Sequence, residues 1–288
     1  MTGTNDARTG WVEVADRVFQ RRYDPCDVTV TAVAGAEGLM VVDTRCSLAE
    51  ARELRAHLRE ISAAPVRWVV NTHIHWDHVW GNAEFAAPRQ TPPAQFWGSA
   101  EMVAAMRGAS SNPEVAQFKE FLASQSEEWQ AKLAELEEYV PENAVHGAHD
   151  LDLGGGRTVR MRQVGRGHTD GDLVLHVPDA DVLLMGDLLE VSGDPAFGSD
   201  SFPLDWAPTL DAALALAGPD TRFVPGHGET TDASFVRTQR DAIAAVAEQC
   251  RALHAAGVAV DDALKAGEWP YERERLDEAV KRAYLQLG

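Results

Sequence analysis

The sequence predicts an α/β protein built as an αββα sandwich, two β-sheets face to face with helices outside. Three features carry this. Short β-type runs followed by a helix occur in the first half and again in the second. A helical, acidic stretch at 98–140 separates the two halves, and helices close the chain over 232–288. No linker is long enough to divide 11–288, so these residues are expected to form one domain behind a disordered 1–10.

The first strands are "WVEVA", "RVFQRR", "DVTVTAVAG" and "GLMVVDT", with residues 35–38 as a hairpin turn between the last two. "SLAEARELRAHLREIS" then starts a helix: Ser47 is the cap and Glu50, three residues on, completes a capping box. Leu48, Ala51, Leu54, Leu58 and Ile61 share its core face, and Pro65 ends it. "VRWVV" is a strand suited to a sheet covered on both faces. The helical insertion reads "SAEMVAAMRG", "NPEVAQFKEFLASQS" and "EEWQAKLAELEEYV"; it is either a lid or plain surface packing. The second half gives strands "AHDLDLGGG", "RTVRMRQVG", "DLVLHVP" and "DVLLMGD", a helix "LDWAPTLDAALALAG" and the strand-turn "TRFVPGHGE". A long helix from Asp232 and a final one over "YERERLDEAVKRAYLQL" follow.

Composition narrows the function classes. With 45% hydrophobic residues in 288, a core can form without disulfides. The three scattered cysteines fit free thiols in a reducing cytosol, and the N-terminus shows no apolar signal segment, so a cytoplasmic protein is expected. No apolar run reaches membrane-span length. A formal charge of −19 without a basic tract disfavours nucleic acid as a partner and leaves a small molecule as the expected one. The sequence sets no oligomeric state.

The chemistry gathers in "NTHIHWDHVWGN". His73 and His75, one residue apart, can converge on one point; Asp77 and His78 can face a second. Imidazole and carboxylate are the usual ligands of Zn, Fe and Mn. The plain alternative is a solvated, histidine-rich turn. Against it stand His168 in "GRGHTDGD", His227 in "VPGHGE" and Asp187 at the end of the apolar "VLLMGD", each at a strand end beside glycine. An ionised carboxylate closing a buried strand is costly unless paired or metal-bound. Asp172 is expected to tie loops together by hydrogen bonds. Trp76 is read as a pocket wall, Trp80 as packing, and His57, His146, His149, His176 and His254 as ordinary surface or core residues.

The set "THIHWDH", "GHTDGD", "GD" at 186–187 and "PGHG", in this order over about residues 11 to 230, resembles the metallo-β-lactamase superfamily. The resemblance implies an αββα sandwich with a site at the sheet edges. It implies a first metal on His73, His75 and His168, a second on Asp77, His78 and His227, and Asp187 between them. In ligand set it is nearest to hydroxyacylglutathione hydrolase and lactonase-like members. The implied reaction is hydrolysis of an ester, thioester, lactone or amide by hydroxide that two divalent metals, zinc first and iron or manganese otherwise, make available near neutral pH. Asp77 would act catalytically by orienting the nucleophile and shuttling its proton. A mononuclear-iron, persulfide-oxidising enzyme of the same superfamily is the alternative.

Overall fold

Alternation of side chains along the strands sets the layering. The structure, a computed structural model, describes residues 10–109 and 112–288; of the stretch expected to be disordered, 1–9 lie outside the described residues. The first sheet contains β1 (Val12–Ala15), β2 (Val18–Tyr23), β3 (Val28–Ala34), β4 (Leu39–Val42), β5 (Val66–Val70), β6 (Gln95–Ser99) and β7 (Asn143–Val145), in chain order. Its first four strands pair antiparallel and its last four parallel, β4 belonging to both sets. The second sheet contains β8 (Ala148–Asp152), β9 (Thr158–Arg162), β10 (Val174–Val177), β11 (Val182–Glu190) and β12 (Arg222–His227). It is antiparallel except for the β11–β12 pair. The sheets share one paired position, Val28 with His227.

On β4, Met40 and Val42 face the second sheet, where Val159, Met161, Leu175 and Leu184 meet them. Leu39 and Val41 face the other way, onto Ala51, Leu54 and Leu58 of α1 (Leu48–Ile61). On β11, Val182 and Leu184 point between the sheets, while Leu183 and Met185 point to an outer helical layer. That layer is α6 (Pro203–Leu214), α7 (Ala233–Ala255), α8 (Val260–Ala266) and α9 (Asp277–Leu287). Period-two burial on both faces of the strands therefore produces the helix-sheet-sheet-helix order that the sequence predicts.

Three details differ from expectation. Glu50 turns back to the backbone N–H of Cys46 (3.1 Å), not of Ser47, although the Ser47 hydroxyl does accept from Glu50 N (3.3 Å). β6, β7 and α8 escaped the sequence reading because each is short and lies among turn residues. The final helix begins at Asp277, after a separate 3-10 turn at Arg273–Arg275.

The insertion is helical as expected: α3 (Ala100–Ala109), α4 (Pro113–Gln125) and α5 (Glu127–Ala134). It rests on α2 (Trp76–Val79), a short helix inside the histidine motif. Val79, Trp80, Met102 and Leu122 form its small core, with Trp76 and Trp129 beside them. No helix among the described residues is long and apolar enough to cross a membrane.

Candidate metal centre

The motif after β5 is a closed loop. Asn71 and Asn82, at its two ends, bond each other's side-chain amides (3.1 and 2.8 Å), and Asn71 also donates to His78 O. Thr44 N donates to the same carbonyl at 2.8 Å. This frame fixes where the four chemical side chains between the asparagines point. His75 ends the extended stretch as the residue before α2, and the first turn of α2 delivers Asp77 and His78.

The other three side chains come from the second sheet. Asp172 accepts from Gly167 N, Thr169 N and Thr169 Oγ1, winding the loop that presents His168. This is the loop-tying role expected of Asp172; burial pushes its carboxyl up to about 7 despite those bonds. Asp187 follows Gly186, which has φ +53° at a break in the β11–β12 register. A left-handed residue there favours glycine, and the bulge re-aims the next side chain. On β12, a Cβ at Gly226 would lie 1.8 Å from Asp187 Oδ1, so the carboxylate rests directly against bare backbone. His227 is the last residue of β12.

The structure brings all seven expected residues together. His73, His75, His168 and Asp187 form one group that could hold a metal ion; Asp77, His78 and His227 form another. Asp187 lies between them: Oδ1 is 3.2 Å from His78 Nε2, and Oδ2 is 3.3 Å from both His168 Nε2 and His227 Nε2. Asp77 Oδ2 lies 3.4 Å from His227 Nε2 and 3.7 Å from His78 Nε2.

The hydrogen bonds on the far side of each ring decide what the near side offers. His227 Nδ1 donates to Cys26 O (2.7 Å), and His168 Nδ1 donates to Ala196 O (3.0 Å). His78 Nδ1 donates to Asp43 Oδ2 (2.9 Å), and His75 Nε2 donates to Asp200 Oδ2 (3.0 Å). Thr72 gives its hydroxyl proton to Asp43, so its oxygen accepts from His73 Nδ1 (3.0 Å). With the outer nitrogen of every ring occupied as a donor, the inner nitrogens present lone pairs to one another. His168 Nε2 and His75 Nδ1 are 2.7 Å apart, and His78 Nε2 and His227 Nε2 are 3.4 Å apart. Two lone pairs at such distances require a proton or a cation between them. His73 Nε2 and Asp187 Oδ1 are buried without any hydrogen-bond partner. Buried polar atoms are ordinarily satisfied. The donors fit a divalent transition metal in kind, in number and in direction.

Electrostatics separate the rings. Burial, reinforced by His78, holds His73 well below the usual imidazole range. Burial likewise brings His168 down to about 4. It also pulls on His78, but Asp187 and Asp77 outweigh it and leave His78 well above that range. His227, in the same contest with Asp187 foremost, rises to about 10. His75 is raised too, with the Asp200 bond overcoming burial. For Asp187, burial opposes ionisation, and the rings of His78, His227 and His73 overcome it, holding it well below the carboxylate range.

Two residues here were not anticipated. Asp43, 2% exposed at the end of β4, accepts from His78 Nδ1, Thr72 N and Thr72 Oγ1. Its backbone takes φ +65°, a strain of the kind that collects at functional sites. Asp200 lies in the loop before α6, 125 positions from the ring it holds. The remaining histidines stay out of the centre. His149 stacks on Trp97 (4.3 Å) and His146 is exposed. His57, expected on an exposed helix face, is half-buried against Tyr23 and Arg21.

A two-sheet sandwich carrying a histidine–aspartate centre at the strand ends defines a metallohydrolase-type fold and site. The chain belongs to the metallo-beta-lactamase superfamily, whose family model matches residues 23–227. It is 25% identical to a linear primary-alkylsulfatase of Pseudomonas sp., over 88% of this chain and 54% of that protein. Among solved structures it is similar to the stereoselective inverting sec-alkylsulfatase Pisa1 from Pseudomonas sp., with TM-score 0.73 and 17% identity, over 96% of this chain and 50% of that one. It is also similar to a metallo-beta-lactamase from Pontibacter korlensis, with TM-score 0.60 and 16% identity, over 81% of this chain and 97% of that one. The chain thus spans about half the length of the alkylsulfatases it matches.

Proposed function

We propose that this protein is a hydrolase dependent on two divalent metal ions, most simply zinc, that cleaves an ester-type bond of a small molecule. The observation that carries the reading is seven converging side chains in two groups with Asp187 between them, two of whose inward atoms, His73 Nε2 and Asp187 Oδ1, are buried without a partner. Bound there, such ions supply hydroxide near neutral pH and polarise the scissile group. The chain's own residues do the rest. His73, His75 and His168 would hold one ion and Asp77, His78 and His227 the other, with the Asp187 carboxylate lying between the two groups. Asp77, 7% exposed, orients the attacking oxygen and carries its proton to the leaving group. Asp77, His78 and His227 favour this reading over a single-iron persulfide oxygenase, which would leave them idle.

Alkyl sulfates head the substrate list, a class the residues alone did not suggest. The likeness to alkylsulfatases supports it. So does the aromatic cluster next to the motif: half-buried Trp76, adjacent in sequence to His75 and Asp77, has its ring 6.1 Å from Phe118 of α4. Phe118 and Phe121 remain 36% and 57% exposed, an apolar surface suited to an alkyl chain.

The test is metal analysis of the purified protein, followed by a panel of alkyl sulfates, thioesters, lactones and β-lactams. Two metal equivalents with sulfate release from an alkyl sulfate are expected. A single iron with oxygen consumption on a persulfide would sink the proposal.

A further inference from the structure

The loop between β11 and α6, residues 191–202, reaches two of the five imidazoles, and both belong to the same group. Ala196 O holds His168 Nδ1, and Asp200 holds His75 Nε2. The outward nitrogens of His78 and His227 end on Asp43 and Cys26 O instead, on segments joined to the first sheet. Gly198 makes the Asp200 contact possible, since a Cβ there would lie 2.7 Å from Asp200 Oδ1.

The loop has no ladder of its own, and the C-terminal part of the chain secures it. Arg282 of α9 donates from Nε to Ser201 O (2.9 Å), and Gln286 Oε1 accepts from Leu204 N (3.1 Å). The Phe202 ring is flanked by the guanidinium groups of Arg282 (5.3 Å) and Arg166 (4.1 Å). Phe202 N donates to Gly167 O (2.8 Å), beside His168. A continuous path of contacts therefore runs from α9 through Ser201 and Phe202 to Asp200 and His75.

We propose that residues 191–202 form an orienting clamp for one metal position only, that of His73, His75 and His168, with Asp200 as its positioning residue and Arg282 of α9 setting the clamp. This rests on the metal-centre reading above. An imidazole fixed by a carboxylate loses less freedom on ligation and is a better donor, and removing such a partner weakens metal affinity by about 10- to 100-fold. The clamp meets no ring nitrogen of His78 or His227, its Val191 N reaching only the His227 backbone O (3.0 Å), so loss of the Asp200 bond weakens one equivalent and spares the other.

The experiment is stepwise titration of the metal-stripped full chain with Zn²⁺ or Co²⁺, read by calorimetry and by the Co²⁺ visible spectrum. In Asp200→Ala, one of two binding steps should weaken by about 10- to 100-fold while the other stays in place. Asp200→Asn, which keeps an acceptor, should recover part of the loss. Arg282→Ala touches no ligand and should weaken the same step, with Arg282→Lys restoring some of it; Gln286→Ala serves if Arg282→Ala does not fold. Equal weakening of both steps, or no change in either, overturns the clamp. Failure of the unsubstituted protein to take up metal overturns the metal reading itself and the clamp with it.

Discussion

His75 and His78 stand three residues apart in one motif, yet their outer nitrogens end in opposite settings. His78 donates to Asp43, 2% exposed and already engaged by Thr72, in the floor of the first sheet. His75 donates to Asp200, whose side chain is 47% exposed in a loop without regular structure. Charge differs ring by ring: burial holds His73 and His168 low, whereas against burial Asp200 keeps His75 high and Asp187 and Asp77 keep His78 and His227 high. One half of the centre is thus built into the sheet; the other is completed by a loop. A shared motif does not imply equal settings. Rigidity and protonation are set by what stands behind each ring.

The comparison can be broken or sharpened by experiment. The largest effect should come from Asp187→Ala, which removes the group common to both halves. Both metal equivalents should be lost and turnover fall to background, checked by metal analysis and a sulfate-release assay; retention of one tight equivalent would show the halves to be independent of Asp187. Next is Asp43→Ala. It strands buried donors on His78 and Thr72 and should lower unfolding stability by about 3 kcal/mol, measured by urea denaturation. Asp200→Ala, at a half-exposed site, should leave metal-free stability nearly unchanged.

Protonation gives a subtler separation. A bound imidazole must be neutral at its inner nitrogen, so metal competes with protons. His227, raised to about 10, keeps its proton through neutral pH, and affinity on its side should go on rising toward pH 10. His168, brought down to about 4, is already neutral there and only His75 of its group is raised, so that side should release fewer protons and rise less steeply. Calorimetry in buffers of differing ionisation enthalpy would read the protons released; equal release at both steps at pH 7.5 would contradict the assignment. The smallest effect is a control away from both halves: Ser47→Ala should cost about 1 kcal/mol at the α1 cap and leave both affinities as they are.

The seven converging residues were legible because each combines a chemical side chain with a strand end and a neighbouring glycine or histidine. Asp43 carried part of that signal. "MVVD" closes an apolar strand with an acid just as "LLMGD" does, and the reasoning that found Asp187 applies to it unchanged. Without a histidine nearby in sequence, it passed for an ordinary strand end. Asp200 had no local signal: "GSDSF" is a common polar loop, and its partner is brought to it only by the packing of two sheets. The layering was readable from the repeated order of strands and helices, whereas β6, broken by Gly98 and running straight into α3, and the three-residue β7 carried no strand pattern of their own.

The seam between the sheets adds one more consequence. His73, His75, Asp77 and His78 follow a strand of the first sheet; His168, Asp187 and His227 belong to the second, and among the described residues the ladder joins the two at the Val28–His227 pair. Ions gripped from both sides would act as cross-links between the layers, doing for this chain what disulfides do in secreted proteins. The seam of the sandwich and the candidate metal centre lie in the same place, and chelation of such ions would loosen the architecture along with any chemistry.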